Sequence, residues 1–287
     1  MVINYKADSQ TFETLPKYKA RNFQVKVGEN GFKYVLIGSV VINHLHISLE
    51  NGKTGKVFAW NFPIEYTCKH DCACYKNKNC YACGGCYTFH SNQAKYTENL
   101  AFFLNHSTTE IVNALQFILD NNPSIKLFRA FTCGDIPNAK FIDVMRILAG
   151  KNQHIRFWFY TKKYDLVNHY TERNGYINTR NLKCIFSHWM NDDGSYYPMN
   201  NPYGYPTSEF VPLGREDLIP ANAHICPCSD PNVATTCQHC ENPCYELEDG
   251  QAMVLKEHST KRTKERDKKI ALAHKRIIAQ RKQRKTA

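Results

Sequence analysis

The residues in this sequence best equipped for chemistry are its thiols. Six of the 13 cysteines fall between residues 68 and 86, in Cys68-Lys-His-Asp-Cys72-Ala-Cys74 and Cys80-Tyr-Ala-Cys83-Gly-Gly-Cys86-Tyr87. Thiols at that density make a disulfide knot, a zinc site or an iron–sulfur cluster. A second group follows late in the chain: Cys226-Pro-Cys228, Cys237-Gln-His-Cys240 and Cys244. Its spacing supplies four thiolates from Cys226, Cys237, Cys240 and Cys244, with Cys228 a spare. Four thiolates close a metal site and leave no open position. His239, between two ligands, is expected to be exposed rather than bound.

Something must hold these thiols in place, and the hydrophobic periodicity says what. A strand-like run covers residues 32–41. A glycine-punctuated loop, Asn51-Gly52-Lys53-Thr54-Gly55-Lys56, reads as a hairpin turn into a strand over 57–61. Its spacing is wrong for a phosphate loop, although Lys53 or Lys56 could face a ligand. Helical patterns then start near Ser91 and Thr109, each with an apolar face. Strands over 125–131, 155–160 and 182–186 alternate with helices over 139–148 and 164–170. That alternation predicts βα units and a parallel sheet.

In such sheets ligands bind beyond the carboxyl ends of the strands. The three ends here are Cys133-Gly134-Asp135, Thr161-Lys162 and Ser187-His188. They are expected to line one cavity, with the first cysteine loop at its mouth. The alternative for the first loop alone is a zinc knuckle, four thiolates with no chemistry. Such a knuckle has no need of polar strand ends, which favours a reactive centre.

Composition narrows the setting. No apolar run is long enough to span a membrane, and the first residues lack the pattern of a signal peptide. The expected location is the cytoplasm, where metal-bound or catalytic cysteines outnumber disulfides. The net charge is +11, but residues 256–287 carry 13 Lys+Arg against 3 Asp+Glu, a net +10. The basicity is therefore an appendage. It reads as an arm that neutralises nucleic-acid phosphates, or as a solvated tail. The expected organisation is an N-terminal β-rich segment (1–66), a β/α core (67–208), a cysteine-rich metal-binding subdomain (209–250) and the basic tail (251–287).

The run from Cys68 to Tyr87, the strand end Phe128-Arg129-Ala-Phe-Thr-Cys133-Gly134-Asp135, the strand end Phe157-Trp-Phe-Tyr160-Thr161-Lys162 and the late cysteines resemble the phage "gene product 88" family. The resemblance extends over about residues 45–245. That family in turn resembles a divergent branch of the radical S-adenosylmethionine superfamily. Two departures stand out: Cys133 replaces the family's Ser before Gly-Asp, and the first loop has more than the usual three cysteines.

The resemblance implies a partial (β/α) barrel carrying a [4Fe–4S] cluster on three thiolates. Its fourth iron stays open to chelate S-adenosylmethionine. One electron, from an unidentified donor, then cleaves the cofactor to a deoxyadenosyl radical. By the same resemblance Cys86 and Cys68 are ligands, with Cys80 or Cys83 as the third. Cys72 and Cys74 are left over for zinc. Gly134 and Asp135 would receive the cofactor's amino group, although Asp135 equally suits a helix cap. Lys162 would pair with its carboxylate and Ser187 with its ribose, beside Thr161. His188 would shuttle a proton. Cys133 is an extra ligand, a hydrogen-atom donor or a small buried thiol. The second cysteine group would hold an auxiliary [4Fe–4S] cluster or zinc. The competing reading is a non-catalytic zinc protein that contacts nucleic acid through its tail.

Overall fold

The computed structural model describes residues 24–27, 33–37, 39–42, 45–50, 54–69, 71–76, 80–83, 85–191, 193–212, 214–229 and 235–257. The basic tail after residue 257 and positions 51–53, including Lys53, lie outside the described residues. The architecture is α/β. Ten strands form one sheet in chain order, β1 (Gln24–Val27), β2 (Lys33–Ile37), β3 (Ser39–Ile42), β4 (Leu45–Ser48), β5 (Phe58–Trp60), β6 (Leu127–Ala130), β7 (Arg156–Thr161), β8 (Leu182–Trp189), β9 (Thr207–Val211) and β10 (Ala252–Lys256). Strands β1 to β5 pair antiparallel, and β5 to β10 pair parallel.

The run expected over 32–41 is two strands, because the chain reverses between Ile37 and Ser39. Four further strands escaped the periodicity: β1, β4, β9 and β10. β9 follows a Pro- and Asn-rich stretch, and β10 lies at the start of the segment assigned by charge to the tail. Residues 252–256 are therefore sheet.

The helices are α1 (Ile64–Thr67), α2 (Ala73–Lys76), α3 (His90–Asn105), α4 (Thr108–Asp120), α5 (Lys140–Lys151) and α6 (Tyr164–Asn174). α4 starts where a capping box dictates: Glu110 N donates to Ser107 Oγ, and Ser107 N donates to the Glu110 carboxylate. Gly175 ends α6 at φ 80°, a conformation that favours glycine. Side chains alternate across each strand. One face presents Phe58, Trp60, Phe128, Phe157, Phe159 and Phe186 to the helices, where they join Phe62, Phe103 and Phe141 in the main core.

The opposite face is covered by the second cysteine segment. Cys226 and Leu247 share a buried cluster with Val57, Leu127, Trp158, Ile185 and Met253. The segment reaches that face around the free edge of the sheet, where Ile225 bridges Val254 of β10. Its buried residues thus share a core with the sheet.

A buried polar link holds α3 against the sheet. Asn99 Oδ1 accepts from His46 N (2.6 Å), while Asn99 Nδ2 donates to His46 O and Asn61 O (both 2.9 Å). His46 Nε2 also pairs with the Glu98 carboxylate. Replacing Asn99 by Leu keeps the volume but strands three buried backbone groups. The expected loss is about 3 kcal/mol, read as a lower urea midpoint. An unchanged midpoint would show that this link does not constrain the fold.

Candidate metal centre and adjoining cavity

The first cysteine loop leaves α1 at Cys68 and lies over the carboxyl ends of the parallel strands. Its position is fixed by one residue. Asp135, just beyond β6, accepts at Oδ1 from Thr161 Oγ1 (2.6 Å) and Ile136 N (2.7 Å), and at Oδ2 from Lys162 N (3.0 Å). Its own amide donates to Thr67 Oγ1 (3.1 Å), beside Cys68. One residue therefore ties together the ends of β6, β7 and α1, the first two through its carboxylate and α1 through its amide. Both its oxygens are occupied, so Asp135 positions the site and caps its own turn.

The approach to Asp135 is tightly built. Asn61 Oδ1 accepts from Thr132 N (2.8 Å), Thr132 Oγ1 (2.8 Å) and Cys133 N (3.1 Å). Phe131 has φ 66°, a genuine outlier for a bulky residue, with a cost of about 1–3 kcal/mol. Gly134 has φ 92°, and a Cβ there would come 2.5 Å from Phe62 O. Glycine is thus required by the β5–α1 connection, and Gly134 also lines the cavity described next.

Between the loop and the strand ends lies a cavity of about 100 Å³. Cys68, Cys72, Cys74, Cys80 and Cys133 line it, together with Asp135, Thr161, Lys162 and Ser187. The expected gathering of strand ends under the cysteine loop is therefore present. His188 is not part of it. Alternation along β8 turns His188 to the other face, where it stacks on Tyr196 (4.2 Å) and lies 3.9 Å from Glu209. Cys86 is exposed on the short turn Gly85–Thr88 and does not line the cavity, whereas Cys72 and Cys74 are buried in it. A larger open depression of about 420 Å³ lies nearby, also edged by Lys69, and contains no cysteine.

The thiols touch in sequence. Cys72 Sγ and Cys74 Sγ are 3.0 Å apart, Cys74 also contacts Cys80, and Cys80 contacts Cys83. Among the described residues no three His, Cys, Asp or Glu side chains converge on one metal-sized point. A chain of soft donors nevertheless fits thiolate-bound metals, iron–sulfur and zinc alike. Burial and the nearby Asp135 push the Cys68 thiol up, and burial does the same to Cys133. For Lys162, burial pulls the ammonium down, but Cys74, Cys80, Cys72 and Asp135 outweigh it and hold the charged form. Its Nζ lies 4.5 Å from the centre of the Trp189 ring.

Two cavity residues were not singled out by sequence reasoning. Arg129, on β6, extends between the two cysteine groups, with its guanidinium 5.0 Å from the Tyr160 ring centre. Its buried Nε has no hydrogen-bond partner, and neither has the buried Oγ of Ser208 on β9. A cation–π contact is worth about 0.5–2 kcal/mol, less than the several kcal/mol of withdrawing an unpaired charge from water. Tyr160 does not offset that burial. The signal was an arginine inside an otherwise apolar strand.

In the second group Cys226 contacts Cys228 and Cys244, and Cys228 contacts Cys237. Hydrogen bonds from Cys228 and Cys244 hold Cys226 well below the usual thiol range, while Cys228 rises in return. Burial raises Cys240. His239 is exposed and bonds Thr236 Oγ1 (3.1 Å). The described end of the early glycine loop docks here: Lys56 N donates to Gln238 Oε1 (3.0 Å), and Gln238 N donates to Thr54 O (3.1 Å), leaving the Lys56 side chain exposed.

A mostly parallel sheet with a thiol-lined cavity at the carboxyl edge of its parallel strands defines an α/β protein. The family model described as "Gene product 88" matches residues 24–199, and the chain belongs to that family. The match includes the first cysteine loop and the strand ends and stops short of β9, β10 and the second cysteine group. No curated protein and no solved structure matches the chain.

Gly134→Ala is expected to lower stability by about 2 kcal/mol or more, from positive φ and the clash with Phe62 O. Thermal unfolding checks it, and a wild-type melting temperature would contradict the close approach.

Proposed function

We propose that this chain is an iron–sulfur enzyme of the radical S-adenosylmethionine type, with its reaction at the cavity between the first cysteine loop and the sheet. One observation supports this above the others. A chain of touching thiols from Cys72 to Cys83, with Cys68 lining the same cavity, overlies the carboxyl edge of the parallel strands, beside Lys162 and the Cys133-Gly134-Asp135 strand end. A knuckle that only stapled the fold would need neither the sheet edge nor the lysine.

In this reading the sheet is part of a (β/α) barrel. Three of Cys68, Cys72, Cys74, Cys80 and Cys83 would hold the [4Fe–4S] cluster. When bound, that group supplies one electron, which cleaves S-adenosylmethionine to a deoxyadenosyl radical. The chain's own residues do the rest. Lys162 offsets the negative charge of the thiolates. Ser187 and Lys162 offer polar contacts to the cofactor, and Asp135 orients both strand ends. The cavity of about 100 Å³ is smaller than the roughly 300 Å³ of small-molecule sites. Entry of a nucleoside-sized cofactor therefore requires this space to widen. The second cysteine group is a closed site for an auxiliary cluster or zinc. An external electron donor is required, and the basic tail suits contact with nucleic acid in the cytoplasm.

Anaerobically purified protein is expected to be brown and to contain iron and acid-labile sulfide. Reduction with dithionite in the presence of S-adenosylmethionine should release 5′-deoxyadenosine. Cys68→Ala and Cys80→Ala should reduce that release about tenfold or more. Cys184→Ala should not, because Cys184 lies in the main core away from both groups. Colourless protein holding only zinc would replace this reading with a non-catalytic zinc protein.

A further inference from the structure

The cavity carries more positive charge than its own residues answer. Arg129 and Lys162 both line it, and the one carboxylate among its walls, Asp135, has both oxygens engaged. Lys162 faces the thiols and Trp189. Arg129 faces none of the charged groups that would neutralise it: its surroundings are the rings of Tyr81, Tyr87 and Tyr160 and the thiol of Cys237. Its buried Nε has no hydrogen-bond partner, and no ion pair with a described residue reaches it. Arginine cannot shed its proton to escape this, as a buried lysine can.

Ser208 adds a second, independent sign. It is 1% exposed, lines the same cavity, and its Oγ has no partner. A buried hydroxyl and a half-buried guanidinium, whose buried Nε has no partner, border one space. That space of about 100 Å³ equals roughly three waters of liquid volume, the scale of one oxyanion group.

We propose that Arg129, with Ser208, recognises an oxyanion of the substrate, a carboxylate or a phosphate, which enters this cavity. The guanidinium fork matches either group with two parallel N–H···O bonds. The inference takes the cavity to be the reaction site proposed above, but its test needs no metal. Neighbouring surfaces fit the idea: the aromatic rings around Arg129 exclude water and strengthen a charge-assisted bond.

The experiment uses the full chain freed of metal and titrates it with sodium phosphate or sodium acetate, reading the unfolding temperature and the heat of binding. Wild-type protein should show saturable stabilisation by at least one of the two anions. Response to phosphate alone assigns a phosphate ester, and response to acetate alone assigns a carboxylate. Arg129→Met should weaken that binding about tenfold or more while keeping or raising the unfolding temperature in anion-free buffer, because it removes a partly buried charge with an unpartnered Nε. Arg129→Lys, which keeps the charge without the fork, should lose less. Ser208→Ala should weaken binding a few-fold and keep the fold if Arg129→Met does not. Arg180→Gln, at an exposed position, should respond as wild type, which separates the cavity from general surface charge.

An Arg129→Met protein with wild-type anion response would overturn the proposal, as would wild-type protein with no saturable response to either anion. Neither result bears on 5′-deoxyadenosine release, so this inference and the proposed reaction fail separately.

Discussion

The structure turns on the fact that Asp135 cannot leave its three donors. Its carboxylate is buried at the point where the ends of β6, β7 and α1 meet, and its oxygens accept from the Thr161 hydroxyl and the amides of Ile136 and Lys162. Removing it would release the Thr161 hydroxyl and two amides inside the fold, each at about 1–3 kcal/mol. Because Thr67 answers the Asp135 amide, the same residue sets where Cys68 begins the loop. The first cysteine group is thus anchored to the sheet through its leading residue. Its later members are held chiefly by one another and by α3, where Asn92 and Gln93 donate to the Cys86 and Tyr87 carbonyls.

The two faces of the sheet divide the labour. The helix side is filled with aromatic rings in tilted and edge contacts, as with Phe131 and Phe141 at 4.6 Å. Such a face resists displacement and leaves no room for a ligand. On the other side each strand turns polar toward its carboxyl end: Leu127 gives way to Arg129, Trp158 to Tyr160 and Lys162, and Ile185 to Ser187. The second cysteine segment covers the apolar part of that face, and the first loop covers the polar part. Tyr160 stands between them, lining the cavity and contacting Cys244 below.

Much of this was legible in the sequence because period is a strong signal. The helices α3 to α6 and the strands β6 to β8 announce themselves by apolar spacing, and their alternation gives the parallel sheet. β9 and β10 did not, because Thr207–Val211 and Ala252–Lys256 are short and flanked by proline, glycine or charge. Thiol spacing predicted that a group exists but not which way each side chain points. Cys72 and Cys74 therefore looked surplus and are buried, while Cys86 looked central and is exposed. His188 failed for a plainer reason: neighbouring strand residues face opposite sides, so Ser187 and His188 cannot both enter one cavity.

Arg129 shows what such patterns conceal. In sequence it is one charge within Leu127–Ala130, where alternation asks only that it face away from Phe128 and the helices. Only the fold reveals that the face it turns to is enclosed, by tyrosines above and cysteines below. A guanidinium so enclosed is tolerated in a chain of marginal stability only if the cost is met elsewhere in the fold or recovered when a partner arrives. The aromatic core beneath the helices supplies the first. The unfilled space beside Arg129 and Ser208 is where the second would come from, and its position links the cysteine loop, the sheet edge and the second cysteine group into one site.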